Sequence, residues 1–188
     1  MEELEQLATL IADGDRQAMH ELYCRTYRYL AGVAQRYVDN DEDVQDVLQE
    51  SYLHIFEHIS QFKPHGAGSL RGWMTRITVN ESLQLLRYKN RWDWIETRAE
   101  LPETIDEDSL PSDQIPIATI HALIRKLPTG YRTVLNLYIF EQKSHKEIAG
   151  LLGIKEKTSA SQLYHAKALL RQWMEDWLQE QQNPKQHR

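Results

Sequence analysis

Cysteine is almost missing from this chain of 188 residues: Cys24 stands alone, so no internal disulfide can form and a fold stapled by disulfides is excluded. Cys24 itself reads as a small buried or half-buried side chain. Glycine and proline are sparse, at 8 and 6, and polar–apolar alternation is rare, which removes both the turn punctuation and the period-two pattern of strands. No apolar run approaches the roughly 20 residues that span a bilayer. The start, MEELEQLATLIADGD, has no basic segment ahead of an apolar one, so a secretory leader is not expected and a cytoplasmic setting is. A Gly-rich phosphate loop, G-x-S-x-G and a Cys pair are all missing, which points away from an enzyme and from any bound cofactor.

What is present is helical period throughout, so the expected fold is all-α: two small helical domains joined by an acidic, flexible linker. The expected boundaries are 1–92, a linker over 93–114, 115–182, and a frayed tail over 183–188. ETRAELPETIDEDSLPSDQ combines proline, serine and dense acid that cannot bury itself. Charge comes in blocks. Residues 1–60 hold 4 basic and 13 acidic side chains (−9), 61–92 hold 6 and 1 (+5), 93–114 hold 1 and 8 (−7), and 115–188 hold 11 and 6 (+5). Two basic blocks in a chain of net charge −6 suit a DNA contact made within a larger assembly better than one made alone. At the start, a short helix through Ile11, a break at Asp13-Gly14-Asp15, and a longer helix carrying Ala18, Leu22, Leu30, Val33 and Tyr37 inward are expected.

In DVQDVLQESYLHIFEHI, Val44, Val47, Leu48, Ser51, Ile55 and Ile59 recur at three-four spacing and define an inward face. Asp46, Gln49, Glu50, Leu53 and Glu57 fall opposite, an acidic stripe with one leucine in its middle, suited to a basic protein surface. In the next segment, SLRGWMTRITVNESLQLLRYKNRW, another single face carries Trp73, Arg76, Asn80, Gln84, Arg87 and Arg91. Arginine neutralises phosphate, Asn and Gln bond base edges, and an indole stacks on an unpaired base.

Residues 116–178 read as a second module. Ile117, Ile120, Leu123, Ile124 and Leu127 give one amphipathic helix, stopped by Pro128-Thr129-Gly130, and Tyr131 to Glu141 gives another. Ser144-His145-Lys146-Glu147 has the S-x-x-E form of a capping box, and Gly153 the place of a left-handed helix end. The following helix keeps Leu163, Ala166, Leu170, Trp173 and Trp177 inward. Outward it shows Lys157, Thr158, Ser161, Gln162, Tyr164, His165, Lys167 and Arg171, groups able to enter a major groove. This is a helix-turn-helix pattern.

The order of parts resembles that of bacterial RNA polymerase sigma factors of the extracytoplasmic-function type, within the sigma-70 family, over nearly the whole chain. DVQDVLQESYLHIF is similar to the helix that docks on the beta-prime clamp of core polymerase, which implies Asp46, Gln49, Glu50 and Leu53 as docking residues. SLRGWMTRITVNESLQLLR is similar to the helix at the −10 element, and the resemblance implies Trp73, Arg76, Asn80 and Arg87 on its contacting positions. Gln84 stands where the family usually has an acid, and the loop FKPHGAGSL, which would hold a flipped-out base, is longer than usual. IATIHALIRKLPTGYRTVLNLYIFE through SHKEIAGLLGIKEKTSASQLYHAKALL resembles the module that reads the −35 element and meets the beta flap. Ala160, Gln162 and His165 take places where Lys or Arg are common, and Ser159 takes a slot that is usually β-branched and buried. The implied partners are core polymerase, promoter DNA and an anti-sigma protein.

Two other readings compete. His54-Ile55-Phe56-Glu57-His58 spells H-x-x-E-H, in which two histidines could grip a zinc ion with Glu57 as base, as in a zinc peptidase; a third protein ligand is not evident. A helix-turn-helix regulator that binds duplex DNA without polymerase is the other.

Overall fold

A computed structural model describes residues 2–66, 68–89 and 114–182. Arg91, the acidic segment 93–113 and the tail 183–188 lie outside the described residues. The chain divides into two units, Met1–Arg91 and Trp92–Arg188. Eight α-helices and a 3-10 turn make up the described secondary structure.

The first unit holds α1 (Glu2–Ala12), α2 (Arg16–Ala34), α3 (Asp41–His58), a 3-10 turn (Ile59–Gln61) and α4 (Ser69–Tyr88). The break between α1 and α2 is Gly14 at φ +92°, a left-handed position that costs a Cβ-bearing residue about 1 kcal/mol. Asp15 then caps α2, its carboxylate accepting from the backbone N–H groups of Gln17 (2.8 Å) and Ala18 (3.1 Å). Asn40 caps α3 by accepting from Asp43 N–H at 2.7 Å, and Asp41, Glu42 and Asp43 complement the helix dipole. Leu22, Leu30, Val47, Ile55, Leu70, Met74 and Leu83 fill the interior between α2, α3 and α4. Tyr37 is buried too, in the turn just past the end of α2.

Three small hydroxyl residues are buried in α3 and α4, namely Ser51, Thr78 and Ser82. Each donates to the carbonyl four residues back in its own helix, at 2.6, 3.1 and 2.8 Å. Their polar needs are met locally, so they sit in the interior without an orphaned group. α4 has no side-chain cap: it starts at Gly68, with φ +82°. The missing partner comes from α1, where Glu5 accepts from Gly68 N–H at 3.0 Å, a carboxylate at the positive end of a helix.

The second unit holds α5 (Ile117–Lys126), α6 (Thr129–Ile139), α7 (His145–Leu152) and α8 (Glu156–Gln182). Pro128 does not open a gap before α6 but sits at its N-cap, so that Thr129 and Gly130 form the first turn rather than a break. Ile117, expected inward, is 73% exposed at the start of α5, because burial on that helix begins only with Leu123 and Ile124. α6 is buried from Gly130 to Leu137 on every side, Arg132, Thr133 and Asn136 included. Arg132 donates from Nη1 to the carbonyl of Arg125 at 2.8 Å, placing a cation at the negative end of α5. Along α8 the buried seam is Ser159, Gln162, Leu163, Ala166, Leu170 and Met174. Trp173 and Trp177, expected on that seam, are only half-buried; Met174, one step on, continues the three-four spacing and takes the core position.

Replacing Glu5 by Ala removes the side-chain acceptor that the described residues provide at the start of α4. The expected loss is about 1 kcal/mol of stability in the first unit, read as a lower urea midpoint with unchanged slope; an unchanged midpoint would mean that solvent serves α4 equally well.

Candidate polymerase and nucleic-acid interfaces

α3 presents two opposed faces because its inward stripe is committed to α2 and α4. Asp46, Gln49, Glu50, Leu53 and Glu57 all stand exposed on the far side, and Leu53 is 55% exposed. Beside this ridge, α2 and α3 enclose an open hollow of about 490 Å³ walled by Tyr23, Tyr27, Tyr52 and Phe56. Ring centroids lie 5.2 Å apart for Tyr23–Tyr27, 4.7 Å for Tyr23–Tyr52 and 5.8 Å for Tyr52–Phe56, within the range of favourable tilted pairs. The Tyr52 hydroxyl bonds the buried Thr26 hydroxyl at 2.8 Å, and burial pushes its pKa up to about 12. Sequence reasoning missed this wall. Its signal was two aromatic i, i+4 pairs, Tyr23–Tyr27 and Tyr52–Phe56, on facing helices. Cys24, expected to be at least half-buried, is exposed beside His20, with Sγ 3.8 Å from the ring nitrogens.

On α4, Arg76, Asn80, Gln84 and Arg87 are exposed and Trp73 is half-buried. The indole is steadied from one side by Phe62, centroid to centroid 5.5 Å, so its orientation is set by packing while part of its surface stays open. A second open hollow, of about 440 Å³, lies at its edge between α3 and α4, with Trp73 and Asn80 on one side and His54 and His58 on the other. Arg71 lies over the Tyr29 ring at 4.5 Å, a cation–π contact that ties the beginning of α4 to α2. The loop before α4 contains left-handed glycines at Gly66 and Gly68, and Ser69 Oγ accepts from His65 N–H at 3.2 Å.

The histidines of α3 do not converge with Glu57. His54 Nδ1 pairs with Glu81 Oε1 on α4 at 2.9 Å, while Glu57 points with the acidic ridge, its nearest histidine nitrogen being His58 Nε2 at 3.9 Å. Among the described residues no group of three or more His, Cys, Asp or Glu is arranged to hold a metal ion. The zinc-peptidase reading is therefore not carried by this geometry.

In the second unit the capping box forms in full. Ser144 N–H donates to Glu147 Oε2 at 2.9 Å and Glu147 N–H donates to Ser144 Oγ at 3.3 Å, and the backbone and hydroxyl bonds from Ser144 hold the Glu147 carboxyl below its usual range. Gly153, at φ +69°, ends α7, and the space around it is open, so the requirement is for the backbone angle and not for close approach. α8 follows with Lys157 exposed and Thr158, Ser161, Tyr164, Lys167 and Arg171 partly exposed. Two residues expected on this outward face depart from it, Gln162 wholly and His165 in part. Gln162 is only 1% exposed, because it lies three and four positions from the buried Ser159 and Ala166 and shares their stripe. His165 stacks on Tyr131 of α6, centroids 5.8 Å apart, with its Nε2 buried. Lys157, Thr158, Ser161, Tyr164, Lys167 and Arg171 remain on the outward face, His165 keeps part of its surface open, and Gln162 is withdrawn from it.

Known proteins similar to this chain line up with these units. The sigma-70 region 2 family matches residues 22–92, and the sigma-70 region 4 family matches residues 117–170. The ECF RNA polymerase sigma factor SigE of Mycolicibacterium smegmatis is 28% identical over 179 residues, which cover 89% of this chain and 66% of that protein. The RNA polymerase sigma-H factor of Pseudomonas aeruginosa is 26% identical over 191 residues, 95% of this chain and 97% of that one. The ECF RNA polymerase sigma-E factor of Haemophilus influenzae is 26% identical over 180 residues, 87% and 91%.

His145, at the start of α7, has its pKa lowered by burial and by the charge of Lys167, against a raising influence from Glu156. The unfolded chain then takes up this proton before the folded one does. Stability of the second unit is therefore expected to be full above the ordinary histidine value of about 6.5 and to decline as pH falls from there toward the lowered folded value. Thermal melts between pH 7.5 and 5 would show it, and the His145→Gln protein should show a flatter decline over the same interval.

Proposed function

This chain belongs to the sigma-70 family, as a factor of the extracytoplasmic-function type that initiates transcription by directing RNA polymerase to promoters, and on that premise we propose how its surfaces divide the work. The exposed ridge Asp46, Gln49, Glu50 and Leu53 docks on core polymerase at the beta-prime clamp. The α4 face, with Trp73, Arg76, Asn80, Gln84 and Arg87, together with Arg91 just beyond the described residues, holds the −10 element and its unpaired strand. The α8 face, with Lys157, Thr158, Ser161, Tyr164, Lys167 and Arg171, reads the −35 element, and its unit meets the beta flap. Residues 93–114 tether the two units, and an anti-sigma protein competes for the same docking surfaces. The chain works in the cytoplasm and carries out no catalysis itself.

One observation carries this division: within a single unit, an acidic exposed face of α3 stands next to a cationic, tryptophan-bearing face of α4. Carboxylates repel phosphate, so the α3 ridge cannot be a DNA surface; it complements a basic protein. The α4 face has the opposite chemistry. Its arginines release counterions from phosphate, Asn80 and Gln84 can bond base edges, and the half-open indole of Trp73 can stack on a base freed from its partner. Opening would draw on that stacking, worth about 1–3 kcal/mol per base, and on phosphate contacts, without nucleotide hydrolysis. The second unit adds affinity by tethering: held near DNA by polymerase, a modest set of cationic groups on α8 acts at high local concentration.

Changing Asp46 and Glu50 together to Lys should weaken core binding by about ten-fold or more, mostly through faster dissociation, and abolish promoter-directed transcription. Trp73→Ala combined with Asn80→Ala should leave core binding within about two-fold yet reduce open-complex formation about ten-fold, as permanganate footprinting of unpaired thymines would read. Firm binding of the free protein to duplex promoter DNA, with no response to core polymerase, would overturn the assignment in favour of an ordinary helix-turn-helix regulator.

A further inference from the structure

We infer that His145 and Ser159 form the joint that sets the angle of α8 against α7, and that this pair positions the side chains reading the −35 element without touching DNA. The inference rests on the promoter-reading role proposed above for α8.

Ser159 is completely buried in the first turn of α8, in a slot where an apolar β-branched residue would pack without polar demands. A buried hydroxyl needs a partner, and its partner is across the helix-turn-helix: Ser159 Oγ lies 2.9 Å from His145 Nδ1, on the first residue of α7. The imidazole is in turn held flat against the Tyr138 ring of α6, centroids 4.9 Å apart and planes inclined by 22°. The capping box at Ser144 and Glu147 fixes the backbone from which His145 projects. Three helices thus meet at one directional contact. Apolar packing lets neighbouring helices slide or rotate by small amounts at little cost, whereas a hydrogen bond weakens steeply as its angle departs from linear. Lys157, Thr158 and Ser161 lie within two residues of Ser159 on the same helix, so a rotation of α8 about its axis that broke this bond would move each of them relative to the groove.

Both groups are polar at a packing position, and each is costly without the other. Ser159 alone would leave a buried hydroxyl unpaired, and His145 alone would lose the acceptor or donor on its inner nitrogen. Their effects on reading should therefore be coupled and not additive.

The test uses holoenzyme made with the full chain, and a promoter recovered by wild-type holoenzyme from a pool randomised at the −35 element. Discrimination is the ratio of transcription from that promoter to transcription from versions with single −35 base changes. Ser159→Val and Ser159→Thr have nearly the same shape, and only the second keeps a hydroxyl. Ser159→Val is expected to lower discrimination about three- to ten-fold, Ser159→Thr to retain most of it, and His145→Ala, costly alone, to add little once Ser159→Val is present. His145→Gln, which can still bond the hydroxyl, should be partly restored. A fall in melting temperature with discrimination unchanged would reduce the pair to a stability element and overturn the inference, as would equal losses for Val and Thr or additive losses for the double variant. If wild-type holoenzyme is itself indifferent to −35 changes, the promoter-reading role of α8 falls, and this inference with it.

Discussion

A helix that packs along one stripe must leave the opposite stripe to solvent, and in this chain each stripe left outside carries a different chemistry. Burying Val47, Ile55 and Ser51 against α2 and α4 turns Asp46, Gln49, Glu50 and Leu53 outward. Burying Met74, Thr78 and Leu83 against α2 and α3 turns Arg76, Asn80, Gln84 and Arg87 outward. The two exposed chemistries are held in relation because α3 packs on α4, where His54 of the one pairs with Glu81 of the other at 2.9 Å. Core packing and surface chemistry are therefore one arrangement seen from two sides, and a change that rotates either helix would misplace an exposed face as well as a core.

The second unit has a polar interior of its own. α6 is enclosed along its length while carrying Arg132, Thr133 and Asn136, residues that are costly to bury unless bonded. Arg132 offsets part of that cost by closing the end of α5. His145 with Ser159, and His165 against Tyr131, extend the pattern: polar groups in this unit lie between helices and bear on how they meet, as Thr26 with Tyr52 and His54 with Glu81 do in the first unit.

The parts legible from sequence were those governed by local rules. The inward and outward stripes of α3 follow from three-four spacing alone, and the Ser144–Glu147 box and Gly153 follow from the few backbone groups a helix end leaves unpaired. What escaped depended on contacts distant in sequence. Gln162 looks like a surface residue until Ser159 and Ala166 are seen to share its stripe. Met174 displaces Trp173 from the seam by one position, because the helix phase is set by packing further up α8. The aromatic wall of Tyr23, Tyr27, Tyr52 and Phe56 needs two helices to be brought together, and the tie from Glu5 to Gly68 spans 63 residues. Pro128, a stop by sequence pattern, is also a start, since a proline ends one helix and opens the next with the same fixed φ.

α8 runs unbroken for 27 residues, about 40 Å at the usual rise. Its cationic side chains, Lys157, Lys167 and Arg171, belong to the first two-thirds, while Glu175, Asp176 and Glu180 occupy the remainder, and its last turn has no basic residue. Glu156 in the first turn suits the helix dipole, but acids without a base at the far end run against the preference of an isolated helix. Beside a polyanion such a rod behaves as a compass needle, drawn in at one pole and pushed away at the other, so that the approach to nucleic acid is aligned before any base is touched.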